Sequence, residues 1–143
     1  EMSEDEITER FRSQPGDIYR TIENAKWLLY STHELATLFG AKQVLPQTLG
    51  LIERVEKGVK KELLPIVKLE GVGRVRGRIL YNAGYKTIED IKTARLEDLI
   101  DLPLIGSKLA KKIKEQVGGF VKKETWQKLE REDERKQKAI TEY

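Results

Sequence analysis

The stretch Leu69-Glu70-Gly71-Val72-Gly73-Arg74-Val75-Arg76-Gly77-Arg78-Ile79-Leu80 returns 33 residues later as Leu102-Pro103-Leu104-Ile105-Gly106-Ser107-Lys108-Leu109-Ala110-Lys111-Lys112-Ile113. Each copy runs from an apolar residue through a tight turn ending in apolar-Gly. It then enters a helix with a small residue, Gly77 or Ala110, four positions after that glycine. A short amphipathic segment precedes each copy, Leu63 to Leu69 and Leu96 to Leu102. The spacing predicts helix, hairpin turn, helix, twice. Glycine permits φ > 0 and lets another backbone come close. The first turn of the following helix carries N–H groups without intrahelical partners, at the positive end of the helix dipole. Such a turn holds phosphate and reads no particular base. The candidate contacts are Gly71, Val72 and Gly73 in the first copy, and Ile105, Gly106, Ser107, Lys108 and Lys111 in the second.

This pattern resembles the helix-hairpin-helix motif of DNA-binding proteins, in tandem. The second copy departs from it, because Leu104 stands where the first copy has Gly71. Its hairpin is therefore open to two readings, phosphate-binding or structural. Arg74 and Arg78 are four apart and share a helix face, so both can address one phosphate strand. Arg76 lies about 200° around the helix from either of them. It is expected to face a neighbouring domain, an acidic partner or a different nucleic-acid segment.

The charge distribution points to the same place. Of 143 residues, 36% are charged and 38% hydrophobic, and the net charge is +3. An average domain is about 25% charged. Residues 1–59 hold seven Lys/Arg against ten Asp/Glu, residues 60–123 fifteen against eight, and residues 124–143 five against six. The basic block coincides with the repeat, as expected of a polyanion-binding module, although a solvated lysine-rich face gives the same count. There is no cysteine and a single histidine, His33. That removes a disulfide framework, a thiolate metal site and a thiol nucleophile, and nearly removes His-based catalysis. No apolar run approaches the roughly 20 residues of a membrane span, and no leader is visible. The expectation is a soluble, cytoplasmic, nucleoid-associated protein with no membrane partner.

Almost every other segment reads as helix, so the fold class is all-α. Ser3-Glu4-Asp5-Glu6 is a capping box. A helix to about Arg12 should follow, broken by Pro15-Gly16, with Asp17 capping the next. That helix runs to about Phe39, with Gly40 as its stop. Ile18, Ile22, Ala25, Leu29 and Ala36 form a narrow stripe, widened by Leu28, Leu35 and Phe39. His33 falls at its edge. Trp27 lies nearly opposite, with Arg20 in line two turns before it. The pair is either a stacking platform for unpaired bases or a surface covered by another part of the protein. A further helix is expected near Gln47–Lys57, an amphipathic piece over Lys60–Lys68, and a charged helical tail over residues 119–143. The division is 1–59 as the last part of a helical domain, 60–118 as the hairpin repeat, and the tail.

The run Tyr19-Arg20-Thr21-Ile22-Glu23-Asn24-Ala25-Lys26-Trp27-Leu28-Leu29-Tyr30 is followed by Gly58-Val59-Lys60-Lys61-Glu62-Leu63-Leu64, then by the first hairpin and Leu80-Tyr81-Asn82-Ala83-Gly84. Together these resemble the C-terminal part of the archaeal ATP-dependent DNA-repair helicases of the second helicase superfamily, relatives of the helicase part of DNA polymerase theta. The resemblance covers roughly residues 1–117. It implies a long "ratchet" helix whose Arg and Trp stack on bases of the translocating strand, matched by Arg20 and Trp27. It also implies a helix-hairpin-helix domain gripping the exiting strand, with an Arg-x-Arg-Ala-Arg motif matched by Arg74, Arg76 and Arg78. Gly77 replaces the alanine. In the family that motif is thought to restrain the motor.

The sequence has no Gly-x-x-x-x-Gly-Lys-Ser/Thr loop and no acidic box for magnesium-ATP. The chain is therefore read as a non-catalytic fragment without cofactors, and ATP and magnesium belong to a parent helicase moving 3′ to 5′ at stalled forks. Its expected partners are single-stranded or forked DNA, the motor domains and a single-strand-binding protein. Two other classes stand beside this one. One is a protein-interaction or autoregulatory helical domain. The other is a helix-hairpin-helix glycosylase or lyase, which needs a catalytic Asp beyond the hairpin helix; after Gly106 the next Asp is Asp133.

Overall fold

The computed structural model describes residues 2–119 and Arg131. Among the described residues there are helices and turns and no strand. The chain divides into two compact units between Leu64 and Pro65. The tail expected over residues 119–143 lies outside the described residues except for Gly119 and Arg131.

The first unit contains α1 (Glu4–Phe11), α2 (Pro15–Leu38) and α3 (Leu45–Lys57). Ser3 caps α1 as expected, its hydroxyl accepting from the Glu6 N–H while Glu6 accepts from the Ser3 N–H. At α2 the expected cap is corrected. Pro15 opens the helix and Gln14 is the N-cap. Asp17 sits in the first turn, accepting from the Gln14 N–H at 3.2 Å. Proline does not break the chain here because the first helical position needs no N–H donor. The helix ends at Leu38, with Gly40 left-handed at φ +68°.

α2 and α3 form a helical hairpin, with α1 against α2. Across it His33 Nδ1 lies 2.7 Å from Thr48 Oγ1. Thr48 is buried and donates its own hydroxyl to the Leu45 carbonyl at 2.9 Å. The imidazole and this hydroxyl thus link α2 to α3. A 24-residue helix extends about 36 Å, well past a 13-residue partner. Consequently no α2 residue is fully buried. Leu28, Leu35 and Phe39, expected to widen the packed stripe, are instead exposed.

The second unit begins with a 3₁₀ turn, Ile66–Lys68, in place of a regular amphipathic helix through Lys60–Lys68. An earlier 3₁₀ turn, Lys61–Leu63, ends the first unit. Pro65 falls between the two turns, and its ring removes a helical N–H. Then come α4 (Arg74–Asn82), α5 (Ile88–Thr93), α6 (Leu96–Ile100) and α7 (Ser107–Gln116). The core contains Ile66, Val67, Leu69, Val72, Leu80, Ile91, Leu96, Leu99, Ile105, Ala110 and Ile113. Equivalent repeat positions are buried together: Val72 with Ile105, Gly77 with Ala110, Leu80 with Ile113. α7 stops at a Schellman turn. Left-handed Gly118 donates to Glu115 O and Gly119 donates to Lys114 O.

Lys114 is only 2% exposed. It occupies the apolar face of α7 with Ala110 and Ser107. Its ammonium donates to the carbonyls of Ile91 (3.3 Å), Lys92 (2.6 Å) and Ala94 (2.6 Å), satisfying the end of α5. Burial pulls its pKa below the ordinary lysine value, while the three carbonyls favour the charged form. At the other end of α5, Thr87 and Asp90 form a capping box. The Thr87 hydroxyl and backbone N–H hold the Asp90 carboxyl below its usual range. Arg95 does the same to Asp98.

Two predictions follow from this packing. Lys114→Met removes the ammonium that these three carbonyls share, at a cost of about 2 kcal/mol. Circular-dichroism melts should show the second unit losing about 10 °C in Tm. Both carboxyls have folded pKa values below the unfolded ones. Their stabilisation is complete above the ordinary value of 3.8 and is lost as pH falls through the lower folded values. Acid titration of Asp90→Asn should therefore show less loss of stability below about pH 4 than the wild-type chain.

Candidate nucleic-acid interface

The two hairpin turns have the same backbone despite different sequences. Gly71 is left-handed at φ +84° and Leu104, its equivalent, at φ +60°. In each turn the next residue donates back across it, Val72 N–H to Leu69 O at 3.0 Å and Ile105 N–H to Leu102 O at 3.2 Å. Each helix then starts on a glycine N-cap with extended backbone, Gly73 or Gly106. Each first helical bond returns to that glycine, Gly77 N–H to Gly73 O at 2.8 Å and Ala110 N–H to Gly106 O at 2.9 Å. Leucine in the left-handed region costs about 1 kcal/mol, which the surrounding contacts override. The departure at Leu104 is therefore one of side chain alone.

This geometry sorts the candidate residues. Val72 and Ile105 are 4% and 2% exposed and spend their N–H groups inside the turns. Their buried side chains hold the turns to the core. Ser107 is buried too. It is 5% exposed because it lies on the face of α7 that carries Ala110 and Lys114 into the core. Gly73 and Gly106 are exposed, and a Cβ on either would meet nothing within 4 Å. Neither has a positive φ. The fold itself does not require glycine at these two positions. Lys108 is exposed, and Arg74, Arg78 and Lys111 are half-buried beside the turns.

Arg76 does not turn away from its own unit as expected. Its Nε donates to Leu104 O at 2.9 Å and its Nη1 to Gly71 O at 3.0 Å. Lys112 and Gln116 of α7 hold the first turn through Glu70, Lys112 by an ion pair. The Gln116 amide accepts from the Glu70 N–H at 2.7 Å and donates to the Glu70 carbonyl at 3.2 Å. Neither residue stands out in the sequence, although their four-residue spacing puts them on one side of α7. Arg78 lies over the Tyr81 ring, 5.3 Å from its centroid, and Lys86 is 5.6 Å from the same ring. This adds an aromatic residue and a further cation that the repeat alone does not single out.

In the first unit Trp27 is 67% exposed. Arg20 is exposed on the same helix and paired with Asp17 at 2.8 Å. Seven residues of helix separate them by about 10 Å along the axis. Among the described residues no group of acidic and histidine side chains could hold a metal ion, and no helix is long and apolar enough to cross a membrane.

Comparison with known families places both units. Residues 1–58 match the family described as archaeal helicase, domain 4. Residues 61–118 match the SAM-like helix-hairpin-helix tandem. The two matches follow one another along the chain. It is 43% identical over 123 residues to the ATP-dependent DNA helicase Hel308 of Pyrococcus horikoshii, covering 85% of this chain and 17% of that protein. To the same helicase of Aeropyrum pernix it is 43% identical over 119 residues, covering 82% and 16%. To that of Thermococcus kodakarensis it is 44% identical over 119 residues, covering 82% and 11%. The chain thus spans about a sixth of the length of the first of these relatives.

Gly71 is the glycine that the fold does require. A Cβ there would stand 2.6 Å from Leu109 Cδ1, at a positive φ. Gly71→Ala should cost about 1 kcal/mol or more, read as a Tm loss of about 5 °C. Gly73→Ala should leave Tm within about 2 °C.

Proposed function

We propose that this chain is the non-catalytic DNA-gripping part of an ATP-dependent helicase. The observation that carries the proposal is the pair of matching turns whose glycine N-caps stand open to solvent. Their N–H groups precede the first helical bond, and glycine there admits a phosphate close to the backbone. Arg74 and Arg78 on α4, and Lys108 and Lys111 on α7, add salt-sensitive attraction. Trp27 and Arg20 offer stacking to unpaired bases. The parent protein would hold ATP and magnesium in motor domains outside this chain and move 3′ to 5′ at stalled forks. A single-strand-binding protein is a further partner on this reading.

A second role has its own support. Leu28, Leu35, Leu38, Phe39 and Leu49 leave the first unit with exposed apolar side chains. That surface suits contact with motor domains of the same protein and allows regulation of them. Mixing the chain with its motor portion and following ATP hydrolysis without DNA tests that role. The glycosylase reading receives no support, since the next Asp after Gly106 is Asp133, 27 residues on.

Fluorescence anisotropy with a labelled single-stranded oligonucleotide tests the main proposal. Binding should weaken as salt rises, with a slope of about −0.7 per phosphate contact. Arg74→Ala and Arg78→Ala should each reduce affinity several-fold and flatten that slope by about 0.7. Gly73→Ala and Gly106→Ala should weaken binding while the fold melts normally. No binding at low salt would sink the proposal.

A further inference from the structure

We propose that Arg76 is a positioning residue that locks the two hairpins into one strand-binding site. This rests on the DNA-gripping role proposed above and assigns Arg76 a part in it that phosphate contact does not supply. Its guanidinium donates to the carbonyls of Gly71 and Leu104. These are equivalent positions of the repeat, and each is the left-handed residue of its turn. One planar group therefore holds the same point of both turns at once.

The arrangement is reciprocal. Leu109 occupies in α7 the repeat position that Arg76 occupies in α4. Its Cδ1 lies 2.6 Å from where a Cβ on Gly71 would be, so α7 reaches the first turn just as α4 reaches the second. The two sides differ in chemistry. Leu109 packs against one turn without direction, whereas Arg76 forms two directed hydrogen bonds. Only a fork of fixed geometry keeps both carbonyls at set positions; a lysine ammonium on a flexible stem does not.

The consequence for binding lies in the spacing between the N–H groups of the two turns. A single strand spanning both gains from the second contact only if that spacing is held, because the second contact is then intramolecular. With Arg76 removed, each turn keeps its own internal bonds, Val72 to Leu69 and Ile105 to Leu102. Each can still hold a phosphate, but the two no longer act on one strand at a defined separation.

The test is anisotropy with a length series of single-stranded oligonucleotides, on the whole chain, well below its Tm. Wild-type affinity should step up by about tenfold or more once the strand reaches both turns. Arg76→Ala and Arg76→Lys should bind the short strands like wild type and lack the step. Arg76→Lys keeps the charge and serves where Arg76→Ala does not fold. An equal loss at every length would make Arg76 a direct phosphate contact and overturn the inference. A lowered Tm with the step intact would make it merely structural and overturn it too. A wild-type chain that binds without a step would also overturn it, leaving the DNA-gripping role standing. A wild-type chain that binds no strand of any length would remove that role and this inference together.

Discussion

A chain that reverses direction within a few residues between two packed helices needs one residue in the left-handed region. The second unit depends on meeting that demand twice. The following residue, Val72 or Ile105, must drop into the core while the next, Gly73 or Gly106, opens a helix toward solvent. Gly71 meets the demand at no steric cost. Leu104 meets it against its preference, held by the buried Ile105 and by Arg76 on its carbonyl. Once both turns are made, the repeat places its buried residues in pairs and leaves both glycine N-caps open.

Around these turns, polar groups do work that a lean apolar core cannot. Lys114 sits inside the core and satisfies three carbonyls at the end of α5. Gln116 bonds both backbone groups of Glu70 as a strand neighbour would. Arg76 joins the turns to each other. Each replaces packing area with directed bonds, which suits short helices of five to ten residues that bury little on their own. It also spends cations internally. The high positive charge of residues 60–123 therefore overstates what faces a ligand.

The first unit follows a different rule. α2 is long, packs on shorter neighbours and buries no residue fully. Its periodicity describes a two-sided helix, yet Leu28, Leu35 and Phe39 are exposed, as Trp27 is. Hydrophobic pattern reports which residues favour burial; it does not say whether the burying partner lies within the same unit. His33, by contrast, is tied to Thr48 by a contact that no local pattern announces.

The sequence by itself determined the helical class, the two turns, the helix ends at Ser3 and Gly40, and the pairing of repeat positions. These follow from local backbone demands and the 33-residue register, which are properties of neighbouring residues along the chain. Only the tertiary structure decided what each polar side chain does. Arg74, Arg76 and Arg78 are alike in a sequence, and Ser107 looks as available as Lys108. Helix geometry gives their angular positions, but the elements surrounding α4 and α7 settle which of them meet a carbonyl, a ring, the core or water. Those neighbours come from 20 to 46 residues away, in Leu104 for Arg76, the end of α5 for Lys114 and Glu70 for Gln116. A short-range pattern holds no record of them.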